Sequence, residues 1–247
     1  MEEIVKYCEE KYNICLGCPT IQVGTLNYYR SLDPSFSIAD PTEQSERVLV
    51  HSYDSEYDKE NIIDSISGIH VENTKRVVIE NVVGERIFPN SLVFCVSRVT
   101  DNNYLENARN VSPDYDSYYR ISNVLIFAEV LASLIIQNFS LSWFAESVRS
   151  QDMTVFDMKR IELVSVHKPV EYVKSKDVHI KETRKYGGSK FEDSINRIVF
   201  TKDEKYIKDQ EYRFLFYFVH PAIGIMPVKK DPIILPLNPL GRWTIYP

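Results

Sequence analysis

Two short polar segments, far apart in the sequence, combine residue types that can hold a ligand and act on it. Residues 24–30 contain a glycine, a threonine, the adjacent tyrosines Tyr28 and Tyr29, and an arginine. A glycine lets the backbone approach closely, an aromatic ring offers a stacking plane, and a guanidinium pairs with phosphate. The segment therefore has the parts of a nucleotide site, although both tyrosines could equally be core and interface aromatics at a strand-to-helix turn.

The second segment, residues 210–213, opens the most strongly β-patterned run of the chain. Successive side chains of a strand point to opposite faces, so Tyr212 and the phenylalanines that follow share one face. Glu211 and Arg213 lie together on the other face. A charged pair at the mouth of an apolar strand is costly to bury, which favours a functional site, whereas an ordinary salt bridge is the simpler alternative.

The elements that must position these residues follow from apolar periodicity and from turn residues. Residues 2–12 have the spacing of a short amphipathic helix, and Thr25 can cap a helical turn that residues 33–34 end. A long surface loop is predicted for residues 100–119, and a central buried helix for residues 123–138, in which Glu129 needs a partner or a cavity. Strands are predicted at residues 20–23, 47–52, 69–83, 86–99, 161–166, 194–201 and 211–219, with one or two edge strands in 232–246.

Strands outnumber helices and do not alternate regularly with them, so we expect an α+β fold around a mostly antiparallel sheet with a buried central helix. The length of 247 residues, with no linker or repeat, favours one domain spanning residues 1–247. The stretch Val124 to Ile136 is too short to span a bilayer, and no signal segment precedes it. We therefore expect a cytoplasmic protein with no membrane association.

A net charge of −6 disfavours non-specific nucleic-acid binding, which depends on neutralising phosphates. The lysines and arginine of residues 174–190 could form a local basic patch or simply a solvated loop. Four cysteines are present, and Cys15 and Cys18 have the spacing of a metal knuckle or a redox pair. The second half of a zinc site is missing, and Cys95 lies in an apolar run, so we expect reduced cysteines without metal.

Several segments, in this order, resemble a group of small bacterial and phage proteins that is similar to the ADP-ribosyltransferase-like fold and includes toxins of toxin–antitoxin and phage-defence systems. The motifs are short and span residues 20 to 218 loosely. They are Gly24-Thr25-Leu26 with Tyr28-Tyr29-Arg30, then Asp40-Pro41-Thr42-Glu43, Val93-Phe94-Cys95-Val96-Ser97, Phe200-Thr201-Lys202, and Gln210-Glu211-Tyr212-Arg213-Phe214.

The resemblance implies a glycosyltransferase that uses NAD as its substrate and needs no metal. It matches the family's early Arg or His to Arg30 (or Thr25), its Ser/Thr or Tyr to Ser97, and its late glutamate to Glu211. Glu211 would be catalytic, Arg30 would pair with the pyrophosphate, and Ser97 would hydrogen-bond the ribose. Tyr28 or Tyr29 would stack on nicotinamide or adenine. Arg30 follows its strand instead of lying on it, and no His-Tyr pair is present, so the chain departs from the family pattern there.

The resemblance also implies a macromolecular acceptor, nucleic acid or protein, and a possible antitoxin partner. Two other function classes remain open on the residues alone. One is a non-enzymatic interaction or inhibitor protein that uses its acidic surface and its 16 tyrosines for recognition. The other is a divergent nucleotide-binding or nuclease domain. Binding of NAD is the property that separates the transferase from the interaction protein.

Overall fold

The computed structural model describes residues 2–32, 39–54, 78–149, 158–180, 197–237 and 245–246. Its strands are β1 (Glu3–Cys8), β2 (Thr20–Thr25), β3 (Ser45–Asp54), β4 (Val78–Ile87), β5 (Leu92–Val99), β6 (Ser117–Ile121), β7 (Glu162–Pro169), β8 (Glu171–Val173), β9 (Val178–Ile180), β10 (Thr201–Asp203), β11 (Glu211–His220), β12 (Gly224–Met226), β13 (Ile233–Pro236) and β14 (Ile245–Tyr246). Its helices are α1 (Leu26–Arg30), α2 (Tyr104–Val111), α3 (Val124–Gln137) and α4 (Glu146–Arg149).

The chain forms two compact units. The first comprises Met1–Pro41, Pro89–Val170 and Lys205–Pro247, and the second comprises Thr42–Phe88 and Glu171–Glu204. The single-domain organisation expected from the sequence stays a prediction. Both polar segments of interest belong to the first unit.

The first unit is built on a nine-stranded sheet with the order β12-β11-β5-β1-β6-β14. All of its strand pairs are antiparallel, with β7 along the other edge of β11 and β13 beside β2. β5 is the strand that organises the site. One of its edges pairs with β11, and the opposite edge pairs with β2 at residues 92–93 and with β1 at residues 97–99. β1 and β2 therefore pair with different parts of the same edge of β5, and neither has a register partner within residues 94–96. We call this gap the split of the sheet.

The main core lies on one face of this sheet, where the aromatic side of β11 packs against α3. Phe127 of α3 contacts Phe94 and Phe214, with ring centroids 5.6 and 5.3 Å apart. The predicted helix is confirmed, and Asn123 caps it by accepting a hydrogen bond from the backbone of Ile126. Its predicted complete burial is wrong, because Glu129 and several apolar residues of one side are exposed, and Glu129 needs no buried partner.

Two other local predictions are wrong. Residues 3–8 form a strand, not a helix, because apolar side chains cover both faces of β1: Val5 and Tyr7 pack toward α2, and Ile4 packs into the main core. Because apolar residues lie on both faces of this strand, their combined spacing along the sequence resembles that of an amphipathic helix. The predicted loop at 100–119 contains α2, which buries Ala108 against Val5 and Tyr7.

Other strand boundaries also differ from expectation. Gly84, expected to end a strand, lies inside β4 and pairs with Val48. Residues 197–199 of the predicted strand 194–201 are helical, and the rest of that segment up to residue 196 lies outside the described residues, as do residues 33–34 and most of 69–83. β11 and the two short strands β13 and β14 agree with the predictions.

The second unit has a three-stranded sheet, in which β3 pairs antiparallel with β4 and parallel with β9, and a separate parallel pair, β8 and β10. Its buried Glu46 accepts a hydrogen bond from Arg86 at 3.0 Å and lies 3.5 Å from Arg197. The fold is α+β with mostly antiparallel sheets, as predicted. Among the described residues, no helix has the length and apolar character needed to cross a membrane.

Candidate functional site

Glu211 and Arg213 form an ion pair within one strand. They are 5% and 1% exposed, and the Arg213 Nε donates to Glu211 Oε1 at 2.5 Å, with a second nitrogen 3.5 Å from Oε2. Both side chains lie on the face of β11 opposite the aromatic core, as alternation predicted. Burial of both charges makes this pair different from a surface salt bridge, because each charge would be strongly destabilised without the other.

The backbone around Glu211 is constrained on both sides. Glu211 pairs with Ser97 of β5, and its carbonyl oxygen accepts a hydrogen bond from the Val170 backbone at 2.9 Å. Gln210 has a φ of 43°, which is uncommon for a residue with a Cβ, and its carbonyl accepts from the Arg98 backbone at 2.7 Å. Strained backbone of this kind costs free energy and concentrates at functional sites.

Tyr29 lies across Gly24 and reaches the same region as Glu211. A Cβ at Gly24 would be 2.7 Å from the Tyr29 ring, so the close approach of ring and strand requires a glycine. Burial raises the pKa of Tyr29 well above its usual value, and nearby Cys95, Tyr115 and Glu211 raise it further. Tyr28 packs edge-to-face on Tyr29, with ring centroids 5.3 Å apart. Of the predicted site residues, Tyr28 contacts Tyr29 and Ser97 pairs with Glu211, while a common ligand site for all four stays a prediction.

Lys6 is a site residue that the sequence reasoning missed. Its Nζ donates to the carbonyl of Cys95 at 2.9 Å, at the split where neither β1 nor β2 has a register partner within residues 94–96. Nζ also lies 5.0 Å from the centre of the Phe94 ring. Desolvation lowers the pKa of Lys6, and nearby Cys95, Cys8 and Glu211 oppose that shift. A lysine between the apolar residues of a strand could have indicated this position from the sequence. We did not identify it, because we predicted a helix for residues 2–12.

Lys6 and Tyr29 are closely surrounded by protein yet remain partly exposed. The Lys6 Nζ, the Tyr29 hydroxyl and the Glu211 carboxylate lie close enough beside the split of the sheet to influence one another's ionisation. This combination offers a stacking plane, a cation for an anionic group, and a carboxylate for a developing positive charge.

Thr25 and Arg30 have different positions. Thr25 is buried and caps α1: its hydroxyl accepts from the Tyr28 backbone at 3.1 Å and donates to the Lys230 carbonyl. Its hydroxyl thus already has a structural role, which confirms the predicted cap. Arg30 is the last residue of α1 and is partly exposed. Its placement opposite Glu211 stays a prediction. Asp40, of the motif Asp40-Pro41-Thr42-Glu43, is buried, and its backbone donates to the Tyr29 carbonyl at 3.3 Å.

Comparison with known proteins finds no family model that matches this chain, and no curated protein or solved structure that is significantly similar to it.

Three cysteines surround Tyr119 beside this region. Cys8 is buried against Ile14 and Tyr119, and Cys15 and Cys18 pack on the same cluster. Burial raises the pKa of the Cys8 thiol to about 11 and raises that of Cys15. Thiolates are the form that binds metal, so these shifts disfavour ligation. Within the described ranges, no group of three or more potential ligands is arranged to hold a metal ion.

We therefore expect purified protein to contain four reduced cysteines and no stoichiometric zinc. Elemental analysis after preparation without chelator, together with thiol titration of the unfolded chain, measures both properties. One zinc per chain would contradict the prediction. It would also require the Cys15 thiol to ionise despite the burial that raises its pKa.

Proposed function

We propose that the protein is an NAD-dependent ADP-ribosyltransferase with Glu211 as its catalytic carboxylate. The observation that supports this most is the buried Glu211–Arg213 pair on the sheet face that also carries Tyr29 and Ser97. A buried ion pair is expensive to maintain and is weak evidence for stability. Its place near a partly exposed aromatic ring and a partly exposed lysine favours a role in chemistry.

The reaction breaks the bond between nicotinamide and ribose C1′ in NAD. Positive charge develops on the ribose as nicotinamide leaves, an acceptor nucleophile then bonds to C1′, and the acceptor loses a proton. A fixed carboxylate near the ribose lowers the barrier by stabilising that charge. Arg213 would act as a positioning residue, since its hydrogen bonds to both oxygens fix the orientation of the Glu211 carboxylate.

The remaining residues would bind the two ends of NAD. Tyr28 or Tyr29 would stack on nicotinamide or adenine, and Ser97 would hydrogen-bond the ribose. Two cations are available for the pyrophosphate: Arg30, as the sequence suggests, and Lys6, which the split of the sheet places near Glu211. The protein would act as a toxin or phage-defence effector on a nucleic-acid or protein acceptor, with an antitoxin as a possible partner.

A second function, a non-enzymatic interaction protein, is favoured by one observation. Helix α3 exposes Leu125, Ile126 and Ile136, which are 64%, 47% and 59% accessible. Exposed apolar side chains on one side of a helix are a common feature of protein-binding surfaces. This alternative predicts a protein partner and no response to NAD.

Binding of NAD to the wild-type protein tests the proposal. We expect millimolar NAD to raise the melting temperature, because a ligand that binds only the folded state stabilises it, by about 2.7 kcal/mol at 100 times Kd. Arg30→Ala should weaken NAD binding roughly ten- to a hundredfold if Arg30 pairs with the pyrophosphate. Isothermal titration calorimetry measures the affinity.

Arg109→Ala is the matched control, since Arg109 is an exposed arginine near the end of α2. It should bind NAD as the wild type does. No change in melting temperature with NAD would contradict the proposed function. Equal NAD affinity of Arg30→Ala and Arg109→Ala would instead remove Arg30 from the site and leave Lys6 as the cation to test.

A further inference from the structure

A polar cavity of about 380 Å³ opens beside Ser97, between β1, β5, α2 and the turn that precedes β11. Cavities of this size hold small organic ligands. Tyr7, Arg98, Asn107, Asn110, Lys208 and Gln210 contribute to its lining. Gln210, with its strained backbone, lies in this wall immediately before Glu211.

One buried hydrogen-bond donor in the wall lacks an acceptor. Tyr7 is 4% exposed, and its hydroxyl has no hydrogen-bond partner among the described residues. Arg98 points to the other face of the sheet, since its register partner Ile4 packs into the main core, and its guanidinium reaches Glu2 at 3.3 Å and Gln210 at 3.4 Å. Buried polar groups are nearly always paired, because an unpaired one is destabilising. The Tyr7 hydroxyl therefore indicates that an acceptor belongs in this cavity.

The Tyr7 hydroxyl is a neutral donor at physiological pH, since burial raises its pKa to about 12. Asn107 lies close enough to oppose that shift without forming a hydrogen bond of normal geometry. The hydroxyl is covered by its neighbours, so a ligand reaches it only if a side chain moves. Asn107 is half-buried and lies beside the hydroxyl, which makes it the side chain to move.

The charges of the lining balance. Arg98 and Lys208 are cationic, while Asp101 and Asp209 are anionic, which disfavours both a strongly anionic and a strongly cationic ligand. The exposed Asn110 side chain offers an amide donor and acceptor side by side. A complementary ligand is neutral, presents a carbonyl oxygen to the Tyr7 hydroxyl, and presents an N–H group to the Asn110 amide oxygen.

We propose that this cavity binds a neutral heterocyclic amide, with its carbonyl oxygen on the Tyr7 hydroxyl. Nucleobases with a lactam group and nicotinamide both have this chemistry. The inference does not depend on transferase activity, although Ser97, which borders the cavity, is also proposed to bind the ribose of NAD. A nucleobase would come from a nucleoside or nucleic acid, whereas nicotinamide would come from NAD.

Calorimetric titration of the full chain with uridine, guanosine and nicotinamide, each up to millimolar concentration, tests the proposal. We expect one of the three to bind, and the best binder identifies the source of the amide. Tyr7→Phe should weaken that binding about tenfold while leaving the melting temperature of the free protein unchanged or higher, because it removes an unpaired buried hydroxyl.

Tyr104→Phe is the matched control. The Tyr104 hydroxyl donates to Glu3 at 2.6 Å, and this side chain packs in the same cluster as Tyr7 without lining the cavity. We expect it to lower the melting temperature and to leave ligand affinity unchanged. No binding by any of the three compounds would overturn the proposal, as would equal affinity of Tyr7→Phe and wild type. Binding of uridine without any binding of NAD would support this cavity and contradict the transferase.

Discussion

Replacing Glu211 by glutamine is expected to lower NAD turnover by at least about a hundredfold, since the variant loses the charge that stabilises the transition state. Glutamine keeps the shape of the side chain and can still accept a hydrogen bond from Arg213. The fold should therefore survive with a loss of about 3–5 kcal/mol, because the buried Arg213 guanidinium loses its counter-charge. Release of nicotinamide measures turnover, and thermal unfolding measures stability.

Glu46→Gln is the matched control for this experiment, because Glu46 is also a buried carboxylate bonded to an arginine, in the second unit. It should lose comparable stability and retain turnover. Full turnover by Glu211→Gln would contradict the catalytic assignment. If Glu211→Gln simply unfolds, the pair is a structural salt bridge, as the simpler interpretation of the sequence holds.

The second large effect concerns Arg213. Arg213→Met leaves the Glu211 carboxylate buried without its guanidinium, and breaking a buried pair by removing one partner costs about 3–5 kcal/mol. We expect that loss in the free energy of unfolding measured by urea titration at neutral pH.

The double variant Glu211→Gln/Arg213→Met separates pairing from packing. With both charges removed, no unpaired ion remains, so the double variant should be more stable than Arg213→Met alone. If the loss of stability in the double variant equals the sum of the losses in the two single variants, the two side chains are not coupled. That result would remove the reason for treating Arg213 as the residue that positions Glu211.

Short-range sequence rules predicted an element correctly where its apolar residues lie on one face or where a capping residue marks its start. The strict alternation of β11 predicted both the strand and the side on which Glu211 and Arg213 lie. The Thr25 cap and the Asn123 start of α3 followed from the chemistry of helix N-termini, where a side-chain oxygen satisfies a backbone donor. These features depend on neighbours within a few residues, which is why the sequence predicts them.

Burial was harder to predict than periodicity. The helix α3 is apolar almost throughout, yet one side of it faces solvent, and Glu129 is on that side. Conversely, β1 packs on both faces and so resembles a helix in its spacing. Both errors have one cause: the pattern of a segment shows which faces are apolar, whereas the partner that covers each face is set by distant parts of the chain.

By itself the sequence determined the α+β class, the strand of Glu211, the tight turn of Tyr28 and Tyr29, and the pairing of two charges on one strand face. Only the tertiary structure decided that Tyr29 crosses Gly24 toward Glu211, and that Lys6 donates to Cys95 at the split between β1 and β2. It also placed the unpaired Tyr7 hydroxyl in a cavity beside Ser97. These arrangements depend on antiparallel pairing between segments about 70 to 120 residues apart, where register fixes which side chains meet and no local pattern specifies it.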